Sequence, residues 1–188
     1  MNHAGDHELL RLMHRGDQGA ARELWSRLGG RLTALASAML RHTPGASLGP
    51  DAVQSVFLRV LKLPGREVRA VEDGAAWLAT LVRREAIDTR RRLSRGAARD
   101  AANSGGPVFA SEAGGDAELL MALDELDEHQ RELVLLRHVA GLTFEQIALV
   151  LEENRDTLAS RYRAAMGRLR EIVAERESPA RTGVGRSS

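Results

Sequence analysis

The chain has 188 residues, enough for one domain or two small ones. Hydrophobic residues make up 43% and charged residues 28%, the balance of a soluble globular protein, but aromatics are only 3%, so Leu, Val, Ile and Ala must fill the core. The absence of cysteine excludes disulfides, thiolate metal sites and a cysteine nucleophile, and suits a reducing cytosol.

The N-terminal run "MNHAGDHELLRLMHRGD" has no signal-peptide core. No apolar stretch approaches the ~18 residues of a spanning helix. The expected location is therefore the cytoplasm, without membrane insertion. The net charge of +1 hides a strong asymmetry. Between Arg83 and Arg99, seven arginines stand against Glu85 and Asp88, a net charge of +5. Between Glu112 and Glu132, eight acids stand against Arg131, a net charge of −7. Such segregation suits either polyanion binding or solvated helix faces.

Helical periodicity dominates, with no convincing β alternation. A short helix is expected over Asp6 to His14, broken at Gly16-Asp17, with Asp17 capping the next. That long helix runs from about Gln18 to Arg41, with Leu24, Leu28, Leu32, Leu35 and Met39 along one face. "HTPGASLGP" reads as a loop. Asp51 to Lys62 is helical, with Val53, Val56, Phe57 and Val60/Leu61 at core spacing. Leu63 to Gly74 reads as an irregular connection. Ala75 to Leu93 returns to helix, with Leu78, Leu81, Val82 and Ile87 inward.

The Gly-, Ala- and Ser-rich stretch 94–117 lacks sustained periodicity and reads as a flexible linker. Helices are then expected at about Glu118 to Leu126, Glu128 to Ala140, Phe144 to Leu151 and Arg155 to Arg176, with a disordered tail at 177–188. The expected fold is all-α: a helical bundle over 1–93 and a second helical unit over 118–176.

The segment "LTFEQIALVLEENRDTLASRYRAAMGRLR" has clear local grammar. Gly141 ends the preceding helix. Thr143 and Gln146 form a T-x-x-Q capping box. Leu158, Tyr162, Ala165/Met166 and Leu169 form a buried stripe at steps of three and four. That phasing turns Thr157, Ser160, Arg161, Ala164 and Arg168 outward, flanked by Arg155 and Arg163. A helix-turn-helix places such a face in the DNA major groove. A hairpin used only for packing is the competing reading. Many such turns carry Gly where this chain has Glu152.

Three segments taken together resemble a known family. They are "PDAVQSVFLRVLKL", "AWLATLVRREAIDTRRR", and "HQRELVLLRHVAGLTFEQIALVLEENRDTLASRYRAAMGRLRE" after the linker. In order and spacing they resemble a bacterial RNA polymerase sigma factor of the small extracytoplasmic-function (ECF) type, over about Leu9 to Glu171. The resemblance implies that the N-terminal unit docks on the polymerase clamp and opens the −10 promoter element. It implies that the C-terminal unit binds the −35 element and the polymerase flap.

Asp51, Gln54 and Phe57 match the family's D-x-x-Q-x-x-F helix, so Asp51, Gln54, Ser55, Leu58 and Arg59 are expected to face the clamp, with Phe57 in the core. Trp77, Arg83, Arg84, Asp88, Arg90 and Arg91 match the −10 helix, with Arg92 extending the basic track. Trp77 serves equally as a core anchor. Arg84 stands where the family often has Asn. The loop Leu63 to Gly74 lies where the family captures a flipped base, and this job needs pockets for bases and a basic backbone track. Few aromatics leave few stacking platforms, which implies limited melting and stringent promoter choice.

The implied −35 readers are Arg155, Thr157, Ser160, Arg161, Arg163 and Arg168. Two departures stand out: Ala159 and Ala164 occupy positions that are commonly basic. Implied partners are core RNA polymerase, promoter DNA and an anti-sigma protein, with no cofactor and no metal.

Catalysis has little support. His3 and His7 are spaced i, i+4, and Glu125, Asp127 and Glu128 cluster near His129, but no H-E-x-x-H, phosphate loop or nucleophile motif accompanies them. The alternatives are a stand-alone helix-turn-helix regulator, which would bind an operator unaided, and a polymerase-docking adaptor, which would not need the basic run from Arg83 to Arg92.

Overall fold

The computed structural model describes residues 4–43, 45–101 and 117–177, and among them every regular element is helical. His3, the expected linker from 102 to 116 and the expected tail from 178 onward lie outside the described residues.

Helix α1 is Asp6–His14, as the periodicity requires, with Leu9, Leu10 and Met13 buried. The Asp17 carboxylate accepts from the Ala20 amide at 2.9 Å and so caps α2, Gln18–Leu24. The long helix expected from here is interrupted. A π-helical turn, Trp25–Gly29, separates α2 from α3, Gly30–Leu40. The wide turn shifts the phase of α3 relative to α2, and Leu40 is fully buried whereas Met39 is half-buried.

Helix α4 spans Gly49–Lys62 and starts earlier than expected, because Pro50 fits a first turn that needs no amide donor. The connection read as irregular contains a short helix, α5, Gly65–Arg69. Helix α6, Gly74–Ala101, runs past the expected end at Leu93, since the Arg- and Ala-rich continuation favours helix.

In the C-terminal half, α7 is Ala117–Asp124 and α8 is Glu128–Val134, capped by Asp127 and continued by a second π-helical turn, Leu135–Val139. Gly141 stops it at φ 69°, a left-handed conformation that glycine adopts freely. Helices α9, Phe144–Leu151, and α10, Arg155–Glu177, form the final pair.

The two halves share one buried cluster. In the N-terminal half α1, α3, α4 and α6 pack around Leu10, Leu24, Leu35, Val53, Val56 and Leu78. In the C-terminal half α8, α9 and α10 enclose Leu133, Leu136, Ile147, Leu158 and Ile172. Each fully buried leucine contributes roughly 1.5–3 kcal/mol relative to an exposed one. Helix α9 lies against α6, and the second π-turn lies against α3. The chain thus folds its C-terminal helices back onto its N-terminal bundle.

Candidate functional site

Helix α10 is positioned by the caps before it. Thr143 Oγ1 accepts from the Gln146 amide at 3.2 Å, and Gln146 Oε1 accepts from the Thr143 amide at 2.9 Å, so the capping box is complete. Glu152 then turns the chain at φ 56°, ψ 39°. This is the left-handed conformation that explains the usual glycine. Asn154 accepts from the Asp156 amide at 2.8 Å as α10 begins.

Leu158, Ala165 and Leu169 are buried and Tyr162 and Met166 half-buried, the stripe read from the sequence, with Ile172 extending it. Arg155, Thr157, Ser160, Arg161, Arg163, Ala164 and Arg168 are exposed, and Ala159 is half-buried at their edge. Tyr162 stacks on His138 and shares a 2.7 Å hydrogen bond with its Nε2. Phe144 meets Tyr162 edge-on, and Arg137 lies over the Phe144 ring.

Three of the four arginines on this face are paired locally. Arg155 pairs with Glu145 at 2.6 Å, Arg161 with Glu153, and Arg168 with Glu171 at 3.2 Å. The Glu145 carboxyl is held below the ordinary range, first by its own backbone amide and then by Thr143.

Helix α6 differs. Arg83 donates twice to Glu132, at 2.7 and 3.0 Å, and these bonds raise the guanidinium pKa further. Arg90 pairs with Glu128, whose carboxyl is held low chiefly by that hydrogen bond. Arg84 lies 3.5 Å from Glu152. All three acids belong to the C-terminal half. Arg92 is held within its own helix by Glu85 and Thr89, while Arg91 and Asp88 are both exposed.

Asp73 caps α6, accepting from the Ala76 amide at 2.8 Å, and its carboxylate also accepts from Gln146 Nε2 at 2.9 Å. The caps of α6 and α9 are therefore hydrogen-bonded to each other. Trp77 is half-buried against the core and also lines a cleft of about 400 Å³ with Val71, Thr80, Leu81, Arg84 and Leu149. Leu149 enters this cleft from α9.

On α4, Val53, Val56 and Val60 point inward, while Asp51, Gln54, Ser55, Leu58 and Arg59 are all exposed. Arg59 pairs with Glu85 of α6 at 2.7 Å. Phe57 is only half-buried and meets Trp25 edge-on at 5.2 Å. With Leu58 and Leu61 they line an apolar cleft of about 440 Å³. Sequence reasoning missed Trp25. A lone aromatic among polar neighbours gives no periodic signal; its partner on α4 does.

No His, Cys, Asp and Glu cluster fit to hold a metal occurs among the described residues. No described helix is long and apolar enough to cross a membrane.

The family model "Sigma-70, region 4" matches residues 116–169, the span of α7, α8, α9 and most of α10. The ECF RNA polymerase sigma factor SigK of Mycobacterium ulcerans (strain Agy99) is 27% identical over 174 residues, covering 88% of this chain and 91% of that protein. SigK of Mycobacterium tuberculosis (strain ATCC 25618 / H37Rv) is 28% identical over 176 residues, with the same coverage. Residues 116–169 thus match sigma-70 region 4, and over most of its length the chain is similar to sigma factors of the ECF type.

Solved structures show the same fold. CnrH, solved with the cytosolic domain of CnrY, superimposes with a TM-score of 0.63 at 22% identity, over 90% of this chain and 97% of that one. The sigma factor RpoE of Bartonella quintana, solved with the anti-sigma factor NepR, gives 0.59 at 21% identity, over 81% and 98%. The region 4 match includes the capped helix pair and the exposed arginine face of α10.

Proposed function

We propose that this chain acts as a sigma factor that binds core RNA polymerase and directs it to promoters in the cytoplasm, contributing recognition rather than chemistry. The observation that carries this reading is the α10 face, where Arg155, Arg161, Arg163 and Arg168 stand exposed on a helix fixed by a complete capping box and a buried stripe. Residues 1–93 would serve the polymerase clamp and the −10 element, and 118–176 the −35 element and flap.

On α10, Arg155, Thr157, Ser160, Arg161, Arg163 and Arg168 would read the −35 duplex. Arginine reads guanine by a bidentate contact, and the outer cations meet phosphates. Ala159 and Ala164 remove two cationic contacts from that surface, so the promoter code should differ from that of relatives with basic residues there. On α4, Gln54, Ser55 and Leu58 would meet the clamp beside the apolar cleft of Trp25, Phe57 and Leu61, with Asp51 and Arg59 at the edge. On α6, Trp77, Arg83, Arg84, Asp88, Arg90 and Arg91 would hold the opened −10 strand.

In the folded chain by itself, the last surface is engaged. Glu132, Glu128 and Glu152 occupy the very arginines that phosphates would use, and Leu149 enters the cleft beside Trp77. The −10 surface therefore becomes available when the two halves part, as they must to reach two promoter elements at once. An anti-sigma protein that stabilises the closed form would silence the factor; the structures of CnrH with CnrY and RpoE with NepR support a partner of this kind.

Run-off transcription with and without core polymerase, over a library of −35 and −10 sequences, tests the proposal. Specific initiation only with both proteins present is expected. Tight operator binding by the chain without polymerase, and no initiation, would instead establish a stand-alone regulator.

A further inference from the structure

The arginines on the exposed face of α10 have partners of different kinds. Arg155 pairs with Glu145, whose side chain is 64% exposed, and Arg168 with Glu171, 65% exposed. Arg163 donates to the Ala159 carbonyl of its own helix at 3.3 Å. Arg161 pairs with Glu153, whose side chain is only 28% exposed. A carboxylate in open water gives up its arginine readily when a phosphate arrives; one sheltered by the fold holds it more strongly.

Glu153 is fixed in the turn rather than on α10. It follows Glu152, which adopts the left-handed conformation between α9 and α10, and its own amide donates to the Ala148 carbonyl at 3.2 Å. From there its Oε2 accepts from Arg161 Nη1 at 2.5 Å, across eight residues of chain. The Arg161 side chain is thereby drawn back toward the start of α10, the end whose residues meet base edges in a helix-turn-helix. Its neighbours on the helix surface, Thr157 and Ala164, are short and exposed, as is Ser160 beside it. A base-pair edge can therefore come close to the guanidinium.

We infer that Glu153 is a specificity-determining positioning residue: it holds the Arg161 guanidinium as a base reader, while Arg155, Arg163 and Arg168 are left to meet phosphates. This inference rests on the −35 role given above to α10. A guanidinium has five N–H donors in a rigid fork. One Nη1 donor stays on Glu153 while the opposite edge makes the bidentate contact that marks guanine. The carboxylate also offsets one positive charge, which weakens attraction to any phosphate backbone. Glu153 thus lowers general affinity for DNA and raises discrimination between bases.

The test is competition binding of holoenzyme, assembled from core polymerase and the full chain, to duplexes randomised across the −35 element. Arg161→Ala first identifies the base pair that Arg161 reads. Glu153→Gln should flatten the preference at that same base pair by roughly fivefold, the lower end of what a bidentate contact provides. Glu153→Ala, which removes the acceptor as well as the charge, should flatten it at least as much. Affinity for an unrelated duplex should hold or rise in both. Glu171→Gln removes the acid beside Arg168 and should leave every base preference in place. In the Arg161→Ala background, Glu153→Gln should change nothing further at that base pair, because the two side chains act as a unit.

A uniform loss across all sequences would reduce Glu153 to a support of the turn and overturn the inference. So would an unchanged preference in the Glu153 variants, a change at a different base pair, an equal change in Glu171→Gln, or an Arg161→Ala variant that alters no base preference. In each of those cases a wild-type holoenzyme with a clear −35 preference keeps the DNA-reading role of α10. A wild-type holoenzyme indifferent to the −35 sequence would remove that role, and Glu153's with it.

Discussion

Helices α6 and α10 both carry arginines proposed to meet DNA, yet their counter-charges come from different places. On α10 the partners Glu145, Glu153 and Glu171 belong to the same half of the chain. On α6 the partners Glu132, Glu128 and Glu152 come from the other half, 49 residues away in the first pair and 38 in the second. Exposed local pairs, such as those of Arg155 and Arg168, contribute little, typically about 0–1 kcal/mol, and exchange readily for phosphate. The α6 pairs are part of a packed surface that includes Gln146 on Asp73 and Leu149 beside Trp77. The proposed −35 reader is thus ready as folded, while the proposed −10 reader is exposed only by opening.

The largest expected effect tests the ready half. Arg161→Ala should weaken promoter binding by holoenzyme about tenfold or more, since a good base contact is worth roughly 1–3 kcal/mol. Arg176→Ala, which disturbs an ion pair with Glu125 away from the groove face, should stay within about twofold. Equal losses in quantitative footprinting would misplace the groove face and end the comparison.

The next effect tests the closed half. Glu132→Gln combined with Glu128→Gln keeps side-chain shape and removes two of the three carboxylates facing α6, leaving the exposed Glu152. Hydrogen bonds to charged groups contribute about 1.5–3 kcal/mol when well formed, and partial exposure of these pairs lowers that. The free variant should bind a −10 single strand roughly five- to thirtyfold more tightly than the wild type. The cysteine-free chain allows spin labels at Ser26→Cys and Ser160→Cys alone. Their distance distribution should broaden outward in the variant; an unchanged distribution would show that the carboxylates do not hold the halves together.

This contrast sets what a sequence can disclose. The α10 face is legible because everything that orients it is local: Gly141, the Thr143–Gln146 box and the stripe from Leu158 to Leu169. The order of helices is legible for the same reason. The π-turn at Trp25–Gly29 is not, because it depends on how Trp25 and α3 seat against α4 rather than on local propensity. The +5 and −7 segments are visible as two runs of charge, but not as contact between them. Nothing local joins Arg83 to Glu132. The Arg161–Glu153 pair is hidden likewise, since only the folded turn between α9 and α10 brings the two together.

A smaller effect sharpens the turn between α9 and α10. Glu152 adopts the left-handed conformation that costs a non-glycine residue about 1 kcal/mol. It also approaches Arg84 at 3.5 Å, a contact in which both side chains are well exposed. Relief of backbone strain should outweigh loss of that weak pair. Glu152→Gly is expected to raise the midpoint of thermal unfolding by about 1–2 °C, given roughly 0.5 kcal/mol gained and about 2–4 °C per kcal/mol for a chain of this size. A fall in the midpoint would mean that the Arg84 contact matters more than the strain.

The smallest effect is the pH dependence of closure. Arg90 holds the Glu128 carboxyl below the ordinary glutamate range, so protonation of Glu128 is harder in the closed form than in the open one. A depressed carboxylate contributes stability that is fully present above its unperturbed value and is lost as pH falls through the depressed one. Closure should therefore respond little to this group around neutrality and weaken only on the acid side of the glutamate range. The Glu128 side chain is 64% exposed, so solvent screens the pair and the change is slight. Spin-label distances followed down an acid titration would detect it, and Glu128→Gln should remove that component while leaving the Arg83–Glu132 contact. An acid response identical in wild type and variant would assign the closing force to Arg83–Glu132 and the apolar α6–α9 contact, and would take Arg90 out of the comparison.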